Sequence, residues 1–480
     1  MTKVLLINAP VIHNPIAHRN TYFPLAILSI ATFLRQEQID ATVFDAGNEF
    51  AQKHLGQAEL ADYVRRVLID HIGRVQPDVI GIGAVFSGAF GALQEFAKAI
   101  KASFPNMPIV IGGIHATIFA KEILERFDYI DFVIVGEGEY SFLELVKCIS
   151  SGGSVDEIDG LAFRRSGEVR LNPKLSFIAD LDALPATDYD LIDLTQYQFE
   201  TSGWYSPKQL PIGQPFPVIS SRSCPNRCSF CSMWLVHGPR FRARSAKHVV
   251  DELESLYNKY GVRFFEFMDD NLTFDKARTL DICNDILKRN LNIQFSTPNG
   301  VAINRLDEET VDALVAAGLI RVALAVEHGS EYIRKKVMRK PLDTARIYQV
   351  AEACAKHKQL YIIGYFVIGM PQETQETLDA TFKIITELPL DHFQLNWATP
   401  YPGTELFRYC MEHKLLAGKP EDYMTSEHLH YNTAKPHFKP HDLTIEELVA
   451  FKDKCFGYLK DKKAALGVAY HLPMRGGGDC

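Results

Sequence analysis

The chain has 480 residues, 47% hydrophobic and 23% charged, with a formal net charge of −8. That length supplies two or three domains with buried cores. The acidic balance, with no basic run and no basic stripe interleaved with aromatics, argues against a general nucleic-acid surface. No apolar stretch is long enough to cross a bilayer, and the opening MTKVLLINAPVIHNP reads as a strand and a polar loop without a signal-peptide core, so a cytoplasmic location is expected.

From residue 1 to about 150, short apolar runs alternate with amphipathic stretches. The runs are 3–9, 41–47, 79–85, 108–113 and 132–137, each too short for a helix and closed by Gly, Asp or Asn. Helical patterns fall at 24–37, 60–75, 89–103 and 140–149. The alternation predicts a parallel sheet with helices on both faces, a flavodoxin-like, doubly wound domain. Such sheets bind ligands at the carboxyl ends of their strands. Those ends read NAPVIHNP, FSGAFG, GGIHAT and GEGE. One such loop of small residues is explained as a tight turn, but four on one edge point to a site for a large flat ligand. Residues 151–210 are rich in Gly, Pro, Asp and Ser and read as a linker, with a hairpin at 161–172.

The chain has nine cysteines. Cys148, Cys283, Cys354, Cys410, Cys455 and Cys480 stand singly, whereas Cys224, Cys228 and Cys231 lie together in VISSRSCPNRCSFCSMW. This is one metal site among ordinary thiols, not a disulfide framework. Thiolates spaced Cys-x3-Cys-x2-Cys after a strand can hold three irons of a cubane cluster. The fourth iron is then open, and the amine and carboxylate of S-adenosylmethionine can chelate it. A zinc site completed by His237 and a regulatory thiol cluster are the competing readings. Strand and helix patterns then recur: strands at 264–270, 293–300, 321–329, 361–371 and 391–404, helices at 245–260, 275–289, 307–317, 343–357 and 374–387. With the strand before the cysteines these make six βα units, whose functional residues belong at the carboxyl-terminal mouth.

These motifs resemble the cobalamin-binding radical S-adenosylmethionine enzymes, over 211–410 and, with the first domain, most of the chain. The resemblance implies an α/β fold: an amino-terminal flavodoxin-like cobalamin-binding domain (1–150), a linker (151–210), a partial (βα)6 TIM-type radical SAM barrel (211–410) and a small carboxyl-terminal helical region (411–480). It implies a [4Fe–4S] cluster on Cys224, Cys228 and Cys231, with Phe230 beside the third ligand. Asp269 and Asp270, in the Met268-Asp269-Asp270-Asn271 turn, would stand near the methionyl amine, although a capping role at that turn also fits them. Glu327 is similar to the family's ribose-binding carboxylate, and Gly364 and Ile368 to its adenine-side strand. Asn299 and the Pro400–Thr404 segment fit the cobalamin-linked subgroup. In the first domain the resemblance implies corrinoid contacts from Ser87, Gly112, Gly113, His115, Gly136, Glu137 and Gly138. An Asp-x-His-x-x-Gly motif for a lower axial ligand does not occur, and His115 stands in another context, that of a loop-packing residue.

The implied reaction is C-methylation of an unactivated carbon through a 5′-deoxyadenosyl radical and methylcobalamin. Another radical reaction on the same scaffold, such as cyclisation, ring contraction or elimination, is the alternative, and a catalytically silent corrinoid-binding regulator is the second. The implied partners are a small-molecule or natural-product substrate and a low-potential electron donor of flavodoxin or ferredoxin type. A methylthiotransferase would need a second cysteine triad near the amino terminus, where only Cys148 lies. The last region carries His428, His430, His437 and His441, whose spacing fits no simple metal site, with Tyr423 and Tyr431 as further candidates for substrate contact. A helix is expected from 445, then a flexible tail.

Overall fold

Strand β1 (Lys3–Asn8) shows how the first sheet is built. Val4 and Leu6 pack into one apolar cluster and Leu5 and Ile7 into another, all at most 3% exposed. Successive side chains of a strand point to opposite faces, so a run without polar alternation is a strand covered on both sides. The structure is a computed structural model that describes residues 1–11, 23–84, 87–197, 214–416, 423 and 435–465. Its contacts divide the chain into two units; the first takes the described residues to Tyr197 together with Leu235–Gly238 and Tyr423.

In the first unit, β2 (Asp40–Asp45), β3 (Val79–Gly83), β4 (Ile109–Gly112) and β5 (Phe132–Ile134) join β1 in the order β2-β1-β3-β4-β5, all parallel. This is the expected doubly wound arrangement, with its switch point beside β1 and β3. The hairpin read as part of the linker, β6 (Leu161–Arg165) and β7 (Glu168–Leu171), instead extends this sheet, β6 pairing antiparallel with β5. Gly167 forms its turn at φ +85°.

The second unit holds β8 (Pro215–Val218), the short antiparallel pair β9 (Ser221–Arg222) and β10 (Arg242–Ala243), and then β11 (Phe264–Phe267), β12 (Gln294–Val301), β13 (Leu319–Glu327), β14 (Tyr361–Ile368) and β15 (His392–Trp397). Six of these form one parallel sheet in the order β15-β14-β13-β12-β11-β8. It does not close: β8, with Pro215 and Pro217, is one edge, where the missing N–H groups of proline are tolerated. The intervening helices are 246–259, 276–288, 308–316, 344–355 and 375–387, each within a few residues of its expected place. Ser245, Asp275, Asp307 and Thr374 cap four of them through their side chains. The final described helix is Ile445–Ala465. Among the described residues no helix is long and apolar enough to cross a membrane.

Candidate active site

The loop after β8 carries Cys224, Cys228 and Cys231, all half-buried. The turn after β11 clasps it. Asp269, 2% exposed, accepts from the Ser220 hydroxyl at 2.7 Å, from the Ser220 amide at 3.2 Å and from the Ser221 hydroxyl. Asp270 accepts the amide of Ser223 at 3.1 Å, and the Asn271 amide group reaches the Cys224 sulfur at 3.6 Å. Ser223 itself is left-handed, at φ +70°, a conformation that costs energy outside glycine and is kept here by Asp270. The far side of the loop is fixed by Ser229, whose amide and hydroxyl donate to the carbonyls of Met338 (2.9 Å) and Val337 (2.8 Å). Phe230 packs against the apolar cluster of Ile333, Met338, Met370, Leu406 and Phe438. Asp269, Asp270 and Phe230, read from the sequence as cofactor contacts, thus hold the loop that bears the cysteines.

Burial pushes the Cys228 thiol up to about 12 and the Cys231 thiol up to about 11, and the neighbouring cysteines add to both shifts. Among the described residues no three His, Cys, Asp or Glu side chains converge as ligands of one ion do. A cubane needs no such convergence, because each thiolate serves a different iron. His237, the sequence candidate for a fourth zinc ligand, lies 3.8 Å from Glu137 in the first unit. Three thiolates on one short loop fit a cubane cluster that keeps one iron open.

Glu327 ends β13, the fourth strand of the sheet, 9% exposed and left-handed at φ +67°, just after a register shift against β14. Its Oε1 accepts from Lys340 Nζ at 2.5 Å. Burial works against the ammonium of Lys340, but the Glu327 carboxylate beside it holds the charge in place, and its pKa is raised. One carboxylate oxygen is thereby committed, and the other retains lone pairs. Behind it, His328 and Glu373 are both fully buried, with Nε2 and Oε1 2.6 Å apart. His328 Nδ1 accepts from the Ser330 amide at 3.0 Å, which puts the proton on Nε2, 3.2 Å from Thr381 Oγ1 and beside Glu373. The other oxygen of Glu373 accepts the amide of Gly369, so one buried pair ties the loop after β13 to the end of β14. Asn299 is exposed and donates to the Met268 carbonyl at 2.8 Å, linking the ends of β12 and β11. Gly364 lies mid-strand, where a Cβ would fall 2.6 Å from Leu390 Cδ1, and Ile368 is fully buried at the strand's end. Gly364 has a packing reason of its own to be small.

In the first unit, Gly113 follows β4 at φ +111°, and a Cβ there would lie 2.1 Å from the Ala84 carbonyl oxygen. At Gly112 a Cβ would meet only Ile134 O, at 4.0 Å. Gly113 thus lets the chain after β4 pass against Ala84, and the space above Gly112 is open. His115 is 2% exposed between the rings of Phe90 (4.3 Å) and Phe119 (5.0 Å), with Nδ1 3.1 Å from Ser87 Oγ. That is the setting of a packing residue that positions Ser87. Gly136, at φ +74°, donates its amide to Thr117 Oγ1 at 2.9 Å. Glu137 is buried and accepts the amide of Ile178 at 2.9 Å, and Gly138 precedes the helix 139–151. The GEGE loop therefore also anchors the segment after the hairpin. Gly113→Ala is expected to distort the Ala84–Gly113 contact and to cost at least about 2 kcal/mol, within the range for strained backbone positions. Cobalamin retention after gel filtration should fall with it, while iron content stays unchanged.

Sequence reasoning missed Lys340, His328, Glu373 and Asn271 as site residues. Asn271 stood within the quoted turn and could have been found there; the other three are fixed by contacts that no spacing rule announces. His441 Nε2 meets Tyr409 OH at 2.9 Å, with no metal set around it among the described residues. His428, His430, Tyr431, Cys480 and the tail lie outside the described residues.

Comparison with known proteins is consistent with this geometry. Residues 218–385 match the model of the radical SAM superfamily, and residues 17–146 match the B12 binding domain. The chain is 32% identical to an uncharacterized methyltransferase of Pyrococcus horikoshii, over 92% of this chain and 88% of that one. It is 29% identical to the cytidylyl-2-hydroxyethylphosphonate methyltransferase of Streptomyces wedmorensis, over 85% of this chain and 82% of that one. An anaerobic magnesium-protoporphyrin IX monomethyl ester cyclase of Cereibacter sphaeroides is 28% identical, over 87% of this chain and 65% of its own. In fold it is similar to the radical S-adenosylmethionine methyltransferase TsrM of Kitasatospora setae, solved with tryptophan and a SAM analogue, with a TM-score of 0.74 at 19% identity over 95% and 89% of the two chains.

Proposed function

We propose that this chain, which belongs to the radical S-adenosylmethionine enzymes with an amino-terminal B12-binding domain, is a cobalamin-dependent C-methyltransferase acting on an unactivated carbon of a small-molecule or natural-product substrate. The observation that carries the reading is the clasped loop of Cys224, Cys228 and Cys231 in the same unit as the Glu327–Lys340 pair. When bound, the cluster and S-adenosylmethionine supply a hydrogen-abstracting radical, and the corrinoid supplies the methyl group.

Cys224, Cys228 and Cys231 would hold three irons of a [4Fe–4S] cluster. The turn from Asp269 to Asn271 fixes their loop, so that the open iron has a defined direction for the methionyl group. Glu327, held by Lys340, would take the ribose hydroxyls, and the end of β14 near Ile368 would lie along the adenine. In the other unit Gly112, Gly113 and Ser87 would border the corrinoid. Fixing reactants in this way removes the entropy of bringing them together. The reductant is proposed to be a low-potential protein of flavodoxin or ferredoxin type.

Ring closure is the second reading, favoured by the cyclase relatives. Methylation is preferred because the Pyrococcus and Streptomyces methyltransferases, 32% and 29% identical and covered over 88% and 82% of their length, are more similar to this chain than the Cereibacter cyclase, 28% identical and covered over 65%. An anaerobic assay with methyl-labelled S-adenosylmethionine, cobalamin and dithionite separates the two. The methyltransferase reading expects labelled product and S-adenosylhomocysteine, both lost when cobalamin is omitted. Deoxyadenosine with no homocysteine product would overturn methylation in favour of another radical reaction.

A further inference from the structure

The cluster-bearing stretch departs from the acidic balance of the chain. Residues 201–250 hold no Asp or Glu, against 59 in the whole chain, and carry Lys208, Arg222, Arg227, Arg240, Arg242, Arg244 and Lys247. PRFRAR, at 239–244, is a local exception to the absence of a basic run. Two of the cations are spent internally: Arg244 on buried Glu252 at 2.5 Å, and Lys247 on Asp251 at 2.6 Å. Arg227, between Cys224 and Cys228, is exposed and lies over the Trp234 ring at 5.4 Å; Arg240 is exposed as well. β10 brings Arg242 opposite Arg222, two residues from Cys224.

The cationic stretch adjoins a cavity. Phe241 forms a wall of a 530 Å³ recess with Phe274, Asn304 and Arg305. The Phe241 and Phe274 rings are 4.8 Å apart, and the exposed Arg305 guanidinium lies 4.8 Å over Phe274. Ile219, at the stem of the cysteine loop, is 38% exposed. The acids near the rim are engaged: Asp307 and Glu309 by Lys276 at 2.5 and 2.6 Å, and Asp275 as a helix cap. Aromatic and arginine side chains with an apolar residue among them are the composition of a protein-binding patch.

We infer that Arg227, Arg240, Phe241, Phe274 and Arg305 form the docking face for a small acidic electron-transfer protein that delivers electrons to the cysteine-bound cluster. This rests on the radical-enzyme reading above and adds the partner's chemistry and its place. A reductant must approach the cysteine loop, and Arg227 is a direct chain neighbour of Cys228, one Cα–Cα step of about 3.8 Å. One electron passes in each encounter: the partner's flavin or iron–sulfur centre is oxidised by one unit, the cluster is reduced by one, and no proton accompanies it. A partner with negative charge around its exposed redox centre would be steered by the arginines, and its apolar contact residues would enter the recess.

The test is stopped-flow reduction of the reconstituted holoenzyme by reduced flavodoxin and, separately, by dithionite. The double variant Arg240→Glu/Arg305→Glu is expected to lower the second-order rate with flavodoxin by about tenfold or more at low salt, the size of a steering effect. The wild-type rate should fall steeply with ionic strength and the variant rate should not. Dithionite reduction, iron content and dithionite-driven deoxyadenosine formation should stay at wild-type levels. Phe241→Ser should slow flavodoxin reduction with the salt dependence kept. Unchanged flavodoxin rates and salt dependence in the charge variant would overturn the docking face. Absence of deoxyadenosine from dithionite-reduced wild type would instead overturn the radical reading beneath it.

Discussion

Alanine in place of any one of Cys224, Cys228 and Cys231 is expected to abolish deoxyadenosine formation and to strip most of the iron from the reconstituted protein. Each thiolate serves its own iron, so none can be shared in compensation, and the other five described cysteines stand singly as free thiols. The control is Cys354→Ala, at a cysteine 1% exposed and raised to about 12 by burial. It should keep full iron content and lose only about 1–2 kcal/mol of stability, as small core truncations do. Iron and sulfide determination with visible absorption checks both halves. A Cys228→Ala protein that retains a full cluster and activity would refute the ligand assignment.

The second large effect is expected at Glu327. Glu327→Gln keeps the shape of the side chain but removes its charge. Affinity for S-adenosylmethionine should drop by about 10- to 100-fold, the equivalent of the ~1.5–3 kcal/mol typical of a hydrogen bond to a charged group. Lys340 is then left as a buried ammonium without its carboxylate, so stability should fall too. The converse variant, Lys340→Met, strands Glu327 and should cost about 3–5 kcal/mol. The double variant Glu327→Gln/Lys340→Met should be more stable than either single one, because removing both partners of a buried pair costs less than removing one. Anaerobic equilibrium dialysis reads the affinity and thermal denaturation reads the stability. Additive losses would show that the two side chains act independently, and unchanged affinity in Glu327→Gln would remove it from the ribose site.

Much of this arrangement was legible in the sequence because local patterns carry it. β-Branched runs bounded by glycine placed the strands, and capping residues placed the helix starts. The cysteine spacing named its cofactor because few other centres use three thiolates on one short loop. Elements that depend on a local detail were harder to see. Helix 46–52 begins inside the run read as strand 41–47, because Asp45 turns from strand end to cap by accepting the amide of Asn48. The π-helical turns 64–68 and 333–337 have no sequence signature. Contacts between distant segments were invisible altogether. The hairpin joins the first sheet through Phe132 and Phe163, 31 residues apart, and Glu137 finds its partner at Ile178, 41 residues on. Lys340 meets Glu327 from an irregular loop, where no periodicity points inward. Asp269 was read near the methionyl amine or as a cap of its turn; its hydrogen bonds to Ser220 and Ser221, 49 and 48 residues away, are contacts that no local pattern shows.

The central claim is that three thiolates leave one iron of a cluster open to S-adenosylmethionine. Electron paramagnetic resonance of the dithionite-reduced holoenzyme, with S-adenosylmethionine labelled with 15N in its amine and 17O in its carboxylate, tests it most directly. The account predicts a reduced-cluster signal that shifts when S-adenosylmethionine is added and that shows hyperfine coupling to both labels, weakened in Glu327→Gln at limiting S-adenosylmethionine. A reduced-cluster signal that is unchanged by S-adenosylmethionine and free of coupling to either label would contradict it.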